Sequence, residues 1–163
     1  MRNWIEFYKN KKAPTDPSDF ALFCIDYINT HTVLDVGCGN GRDAEFLVAK
    51  GIDQHSEYGN FTRFQDYEIK EDVVYSRFFL HAISDEEIKE LIRKTPNMFM
   101  AECRAEGDEP IVYTDHERNF VNPEWLLKTL IEEGFKILYF KVGRGLAVYK
   151  KEDPLCLRVI CKR

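Results

Sequence analysis

Short apolar runs alternate along this chain with longer segments in which apolar residues recur every three or four positions. The runs lie at 33–36, 73–76 and 98–102, and apolar runs of about four to eight residues are typical of buried strands. Residues 20–28 carry apolar side chains at i, i+3, i+4, i+7 and i+8, the spacing of a helix that packs on a sheet. This alternation predicts an α/β fold, a doubly wound and mostly parallel sheet with helices on both faces and the strand from Val33 at its centre.

Capping residues indicate where the predicted helices begin and end. Asp16 and Pro17 suit the N-cap and the first position of the first long helix. Gly51 suits the C-cap of the next one. Caps and acidic first turns also predict helices over 84–94 and 122–133.

Two further apolar runs, 135–142 and 155–161, predict the final strands. A chain of 163 residues suits one core and is too short for two domains of ordinary size. We therefore expect a single domain over 31–163, preceded by a helical cap segment over 1–30.

Residues 32–50 are arranged as strand, glycine turn and helix. Gly37, Gly39 and Gly41 let the backbone take positive φ and let a ligand approach where a Cβ would collide, and the free amides at the start of the following helix would face that ligand. The dinucleotide fingerprint GxGxxG would need a glycine where this chain has Arg42. The spacing therefore predicts a nucleotide-like ligand and argues against NAD or FAD.

The run VLDVGCGNGRD resembles the first motif of the class I S-adenosylmethionine (SAM)-dependent methyltransferases, in which an acidic residue stands two positions before the first glycine, as Asp35 does. The resemblance extends over most of the chain from Ser18 onward. It implies a Rossmann-like methyltransferase fold with an antiparallel C-terminal hairpin, SAM as the cofactor, and Asp35 facing the amino group of its methionine part.

The residues expected to bind the cofactor come from several segments. The candidate cofactor-binding residues are Asp35, Gly37, Cys38, Gly39, Gly41, Arg42, Asp53, Gln54, Asp66 and Ser76. The resemblance also places N-terminal segments over the cofactor, so Tyr8, Ser18 and Phe20 are further candidate contacts, although each also suits simple packing.

The segment after Gly51 is short for the fold. Asp53 has the spacing of a carboxylate that binds ribose hydroxyls, but only twelve residues separate it from Asp66, fewer than a strand, a helix and a strand require. Either the second strand is a stub and its helix a loop near 57–60, or a segment is missing from the chain. Residues 61–64 suit a short strand, after which Asp66 either faces the adenine amino group, as the resemblance implies, or lies in a surface turn.

Polar residues follow the apolar run over 72–80, which resembles the fourth-strand motif of these enzymes. Its tip, Ser76 and Arg77, would lie beside the transferred methyl group. The tip is not the NPPY-type tetrapeptide of DNA amino-methylating enzymes. The joint pattern YSRFFLHAI, ECRAEGDE and DHERNF resembles small methyltransferases of cell-surface glycan or phospho-sugar modification.

Histidines and arginines supply the candidate chemistry. His81 and His116 suit a general base near neutral pH, and arginine side chains match anionic oxygens. The candidate substrate-binding residues are Arg77, Glu102, Arg104 and Arg118. Two alternatives stand beside this interpretation: His81 serves only as a hydrogen-bonding residue before a helix, and Arg104 pairs with Glu102.

Composition restricts the partners. The net charge is −5 and no long basic block is present, which argues against nucleic acid. Five scattered cysteines without CxxC spacing indicate neither a disulfide framework nor a metal site. No run approaches the roughly 18 apolar residues of a membrane span. We expect a cytoplasmic monomer or homodimer.

The most direct functional expectation is methyl transfer from SAM to an oxygen of a small anionic or hydroxylated acceptor, such as a glycan precursor or phospho-sugar. The alternative is a catalytically degenerate protein of the same fold that binds SAM or a partner chain, because the shortened segment after Asp53 would leave the cofactor half enclosed.

Overall fold

The computed structural model describes residues 4–9, 13–29, 31–56, 58, 61–108 and 119–163. The α-helices are α1 (Trp4–Lys9), α2 (Asp19–Ile28), α3 (Arg42–Phe46), α4 (Asp85–Lys94) and α5 (Pro123–Glu132). The strands are β1 (Val33–Val36), β2 (Lys50–Ile52), β3 (Val73–Arg77), β4 (Met98–Arg104), β5 (Lys136–Gly143) and β6 (Cys156–Lys162). No helix in these stretches is long and apolar enough to cross a membrane. The candidate residues His116 and Arg118 lie outside the described residues.

The strands form a six-stranded sheet in the order β2-β1-β3-β4-β6-β5. The first four run parallel, whereas β6 is antiparallel to both β4 and β5. Asp35 of β1 pairs with Gly51 of β2 and Tyr75 of β3, so β1 is an interior strand one place from the edge rather than at the centre. The predicted mostly parallel α/β sheet with an antiparallel C-terminal hairpin is confirmed.

Alternate side chains of the strands enter two apolar layers, one on each face of the sheet. One layer packs against α4 and α5 and includes Leu34, Phe99 and Leu126. The other packs against α2, where the Phe20 ring stacks on Tyr75 with centroids 5.4 Å apart. Helices therefore cover both faces, as a doubly wound sheet requires.

The predicted starts of α4 and α5 are confirmed, and each has a side-chain cap. Ser84 and Glu87 form a capping box, in which each side chain accepts a hydrogen bond from the other residue's amide. The Asn122 side chain accepts a hydrogen bond from the Trp125 amide at 3.0 Å. Gly134, with φ +87°, follows the end of α5 as predicted.

Helix α2 begins later than the sequence predicts. Its N-cap is Ser18, whose hydroxyl accepts a hydrogen bond from the Ala21 amide at 3.1 Å. Asp16 and Pro17 precede the helix, so their predicted positions at its start are wrong. Ser18 is favoured as the cap because its amide and hydroxyl both donate to the Asp43 carboxylate at 2.7 Å, which fixes α2 against α3.

The region after α3 also differs from the prediction. The helix ends at Phe46, Val48 takes a φ of +53°, and Gly51 lies in β2 opposite Asp35, so Gly51 is not a helix cap. Residues 61–64 lead into a 3₁₀ turn instead of forming a strand. The three-residue β2 is the edge of the sheet. The second crossover is therefore shortened, as predicted.

Candidate functional site

Three glycines with left-handed backbone form the glycine turn (residues 37–41) between β1 and α3. Their φ angles are +78° at Gly37, +56° at Gly39 and +79° at Gly41. Residues with a Cβ rarely adopt such angles. The backbone itself therefore requires glycine at these positions, independently of any ligand.

Aromatic side chains lie directly against these three glycines. A Cβ added at the first glycine would lie 2.6 Å from the Phe79 ring. At the second glycine it would lie 2.8 Å from the Tyr8 hydroxyl, and at the third 2.2 Å from the Tyr58 ring. Phe79 follows β3, Tyr8 belongs to α1, and Tyr58 lies after β2. Three segments that are distant in sequence thus converge on the glycine turn, and Tyr8 is brought there from the N-terminal segment.

Asp35 is a buried carboxyl beside the glycine turn. It is 2% exposed, and no described residue donates a hydrogen bond to its carboxylate. Burial, reinforced by the negative charges of Asp43 and Asp53, raises its pKa well above the ordinary value, while Arg77 acts in the opposite direction. A nearby ligand cation would favour the ionised form.

The Asp53 carboxylate is held against the glycine turn. One oxygen accepts a hydrogen bond from the Gly39 amide at 3.0 Å, and the other accepts one from the His55 amide at 2.6 Å. The Ser56 hydroxyl donates to the Gly39 carbonyl. The loop after β2 is therefore tied to Gly39 on both sides, and both Asp53 oxygens are already paired with backbone amides.

A cleft of about 320 Å³, counting the space open to solvent, lies beside Gly37. Asp53 and Gln54 line one side, and residues 62–65 line the other. Asp66 does not line the cleft, because the 3₁₀ turn presents its first two residues there instead. Apolar side chains, among them Phe64 and Phe79, and polar side chains line this cleft in similar numbers.

The remaining candidate cofactor residues contact the protein's own backbone or core. Cys38 is buried within the glycine turn. The Arg42 guanidinium donates to the Asp16 carbonyl at 3.1 Å, and the Ser76 hydroxyl donates to the Val36 carbonyl at 3.2 Å. Ser76 therefore joins the ends of β3 and β1, beside the turn.

A buried ion cluster, the arginine cluster (Arg77, Arg104, Arg158 and Glu102), lies where the carboxyl ends of β3 and β4 meet β6. Glu102 is fully buried, and its oxygens accept hydrogen bonds from Arg77 Nε at 2.9 Å and from Arg158 Nε. Arg158 also donates to the Leu146 carbonyl at 2.7 Å. Both Glu102 oxygens are thus engaged, so the alternative in which Glu102 pairs with Arg104 is wrong.

Arg104 keeps two unpaired nitrogens. Its side chain is 4% exposed, and its Nη2 donates to Glu152 Oε2 at 3.0 Å. Among the described residues, none supplies an acceptor for Arg104 Nε or Nη1. The Glu152 side chain is 55% exposed. Arg104 is therefore a buried cation that is only partly neutralised.

His81 and Phe78 border Arg104. The Arg104 amide donates to His81 Nδ1 at 3.2 Å, which in a neutral imidazole places the proton on Nε2. Phe78 has a φ of +54°, a strained value for a bulky side chain, and its ring centroid lies 5.5 Å from that of His81. Such strain is concentrated at functional sites.

The structure brings the candidate residues together in two groups at one edge of the sheet. The cofactor group is Asp35, Gly37, Cys38, Gly39, Gly41, Asp53 and Gln54, and the acceptor group is Arg77, His81, Glu102 and Arg104. Sequence reasoning missed Asp43, Glu152 and Arg158. Asp43 adjoins the glycine motif, which is a usable signal. Glu152 and Arg158 lie 48 and 56 positions from their partners, where no local pattern points to them.

No protein-family model matches the chain, and no curated protein matches its sequence. Solved structures do match. A SAM-dependent methyltransferase from Mesorhizobium loti is 14% identical with a TM-score of 0.61, and the match covers 99% of this chain and 98% of that one. Magnesium protoporphyrin IX methyltransferase from Synechocystis with bound SAM is 15% identical with a TM-score of 0.61, over 97% of this chain and 79% of that one.

A third match carries both a cofactor product and a substrate. The 1,6-didemethyltoxoflavin-N1-methyltransferase of Burkholderia thailandensis, with bound 1,6-didemethyltoxoflavin and S-adenosylhomocysteine, is 18% identical with a TM-score of 0.62, over 88% of this chain and 75% of that one. At these identities the likeness shows the fold: the chain has the Rossmann-like fold of the SAM-dependent methyltransferases.

Proposed function

We propose that this chain is a SAM-dependent methyltransferase. The observation that carries the proposal is the glycine turn at the carboxyl end of β1, with the buried carboxyl of Asp35 beside it. Open α/β sheets bind their ligands at the carboxyl ends of the strands. Two of the compared proteins of the same fold hold SAM or S-adenosylhomocysteine.

The residues at this edge suit SAM in charge. Asp35 suits the ammonium group of the methionine part, and the glycine turn beside it carries the aromatic side chains of Phe79, Tyr8 and Tyr58. Asp53 and Gln54, which line the cleft beside Gly37, suit the ribose side. Bound SAM would supply a methyl group on a sulfonium, already a good leaving group, so the protein's main task is to align the acceptor.

The proposed acceptor is a small anionic or hydroxylated molecule of the glycan-precursor or phospho-sugar type, methylated on oxygen. Arg77 and Arg104 lie at the strand ends next to the proposed methyl position. His81, whose Nδ1 accepts a hydrogen bond from the Arg104 amide, is assigned to the acceptor side near the transferred methyl group. His116 and Arg118, which lie outside the described residues, are assigned as the general base and a second anion contact.

Isothermal titration calorimetry with SAM and S-adenosylhomocysteine tests the cofactor. Asp35→Ala should weaken SAM binding by about one to two decades, because it removes a charge-assisted contact of roughly 1.5–3 kcal/mol. Gly143→Ala is the control, since a Cβ there meets nothing within 4 Å, and it should bind as the wild type does. If neither ligand binds the wild type, the proposal is wrong; if Asp35→Ala binds equally well, that carboxyl is structural.

A methyl-transfer screen with phospho-sugars, sugars and small acids tests the acceptor. Arg118→Ala should lower kcat/KM on the best acceptor, and an unchanged value would contradict an anion contact there. His81→Ala should also lower it. If kcat/KM of His81→Ala equalled that of the wild type between about pH 6 and pH 9, the reaction would need no imidazole at that position. Alignment of the acceptor with the methyl group would then account for the rate.

A second candidate function is SAM binding without turnover. It is favoured by the three-residue β2 at the edge of the sheet, beyond which no further strand closes the cofactor side in the described part of the chain. SAM binding with no product from a broad acceptor panel would favour this candidate. Turnover of any acceptor would eliminate it.

A further inference from the structure

We infer that Arg104 anchors the carboxylate of a small, singly charged acceptor, and that Glu152 competes for the same guanidinium. This inference rests on the proposed function, because it names the acceptor class of the same site. It assigns the negative charge of the acceptor to a carboxylate rather than to a phosphate.

Arg104 is buried, and the described residues supply fewer hydrogen-bond acceptors than its side chain has donors. Its Nε and Nη1 have no hydrogen-bond acceptor among the described residues, although its side chain is 4% exposed. An unpaired buried donor costs about 1–3 kcal/mol, and more when it is charged. Packing alone gives no reason to retain a guanidinium there, since an apolar side chain would avoid this cost. The open nitrogens are therefore best explained by a ligand that supplies acceptor oxygens.

Among the described residues, the ion pairs around Arg104 contain one more positive charge than negative charges. Cys156 senses the charges of the arginine cluster: burial, and then the Glu102 carboxylate, raise its thiol pKa to about 12, while the three guanidiniums act in the opposite direction. Glu102 is already shared by Arg77 and Arg158. In the direct ion pairs formed by the described residues, with Glu152 included, three guanidiniums face two carboxylates. One further negative charge would balance these pairs.

A carboxylate fits these requirements better than a phosphate. Arg104 Nε and Nη1 need at least two acceptor oxygens between them. A carboxylate supplies two oxygens and carries a single negative charge. A phosphate monoester carries about −1.5 to −2 charges at pH 7, more than this cluster lacks.

Phe78 limits how Arg104 can move. Its ring centroid lies 5.9 Å from the Arg104 guanidinium carbon and 4.5 Å from that of Arg77. Guanidiniums are attracted to aromatic faces at such distances. The anchor is therefore held in place before a ligand arrives, which lowers the entropy cost of binding.

NMR titration of the ¹⁵N-labelled full chain tests the anchor without turnover. Acetate is the carboxylate probe, acetamide its neutral isostere, and inorganic phosphate the competing anion class, each followed through the arginine Nε–H signals. We expect acetate to shift the Arg104 signal in a saturable way and to bind at least about tenfold more tightly than acetamide or phosphate, a factor equivalent to about 1.4 kcal/mol.

Substitutions of Arg104 and of Glu152 should change acetate binding in opposite directions. Arg104→Met should abolish the acetate preference, whereas Glu152→Gln, which removes the carboxylate 3.0 Å from Nη2, should strengthen acetate binding several-fold. Arg93→Met is the matched control, because Arg93 forms an exposed pair with Glu133 at 2.8 Å, and it should leave acetate binding unchanged. If Arg104→Met does not fold, the gain in Glu152→Gln remains a decisive test.

Three results would overturn the inference: equal binding of acetate and acetamide, tighter binding of phosphate than of acetate, or no gain in Glu152→Gln. SAM titration of the same proteins separates the two proposals. A wild type that does not bind SAM contradicts the proposed function, whereas SAM binding without a carboxylate preference contradicts only the assignment of Arg104.

Discussion

The glycine turn and the arginine cluster lie at the same edge of the sheet but are held in different ways. The turn is fixed by backbone, through positive φ angles and through carboxylate bonds to main-chain amides. The cluster is fixed by ion pairs between side chains 25 and 56 positions apart. Residue type alone indicates the glycine turn. The arginine cluster depends instead on which strands become neighbours in the sheet. The two regions should therefore respond differently to substitution.

The largest effect is expected at the centre of the arginine cluster. Glu102→Gln leaves the buried Arg158 and the half-buried Arg77 without their carboxylate, and breaking a buried pair in this way costs about 3–5 kcal/mol of stability. Urea unfolding measures the loss. Glu133→Gln, at the exposed pair with Arg93, is the control and should cost no more than about 1 kcal/mol. Equal losses of unfolding free energy in the two variants would show that the arginine cluster contributes no more to stability than a surface ion pair does.

On the cofactor side, Asp35→Asn should make the chain more stable at neutral pH, by about 1–3 kcal/mol, because asparagine is neutral at every pH and avoids the cost of ionising a buried carboxyl. The folded-state pKa of Asp35 is raised by burial, so the wild type is destabilised as pH rises above the ordinary value of 3.8. The advantage of the variant should therefore grow with pH and disappear in acid. Urea unfolding between about pH 4 and pH 8 checks this.

Asp72 provides the opposite control. Hydrogen bonds from Thr32, first from its amide and then from its hydroxyl, lower the pKa of Asp72. Its carboxylate therefore adds stability above the ordinary pKa of 3.8, and that stability is lost as pH falls through the lowered value. Asp72→Asn should be less stable than the wild type at neutral pH. If the stability difference from the wild type changed with pH in the same direction in Asp35→Asn and Asp72→Asn, the opposite pKa directions of the two carboxyls would be contradicted.

A smaller effect is expected from the glycine turn. Gly41→Ala places a Cβ 2.2 Å from the Tyr58 ring at a φ of +79°, and the left-handed backbone alone costs about 1–2 kcal/mol. Gly143→Ala, which meets no atom within 4 Å, should change the free energy of unfolding by less than about 1 kcal/mol. A comparable loss at both positions would show that the turn is not specially constrained.

The smallest effect is expected at a hydrogen bond between β3 and α3. The Tyr75 hydroxyl donates to the Asp43 carboxylate at 2.7 Å, and Ser18 donates to the same group. Tyr75→Phe should cost about 1 kcal/mol, because Ser18 still satisfies Asp43. Tyr139→Phe is the control, since its hydroxyl has no hydrogen-bond partner among the described residues. Thermal unfolding of both variants measures the difference, and equal melting temperatures would contradict a contribution from this bond.

The sequence predicted those features that depend on local chemistry. The glycine turn and the caps Ser84 and Asn122 follow from residue type and spacing, and all are found. The sequence-based predictions were wrong where a residue distant in sequence determines the local structure. Ser18 displaced Asp16 as the cap because Asp43 binds it, and Gly51 became part of β2 because β1 pairs with it.

The acceptor side shows the same limit. Arg104 and Glu102 are two positions apart in β4, which made their pairing a reasonable alternative. Each instead binds a residue contributed by a later part of the chain, Glu152 and Arg158 respectively. Periodicity cannot reveal such partners, because they depend on the order of strands in the finished sheet.

That order also sets how the molecule is assembled. β6 follows β5 in sequence but lies between β4 and β5, so β5 reaches the sheet only through β6. The amino-terminal part of the chain is synthesised first, and pairing between strands that are distant in sequence is slow. The glycine turn can thus form while β4 still lacks its neighbour. The arginine cluster is completed last, because Arg158, which pairs with Glu102, lies on β6.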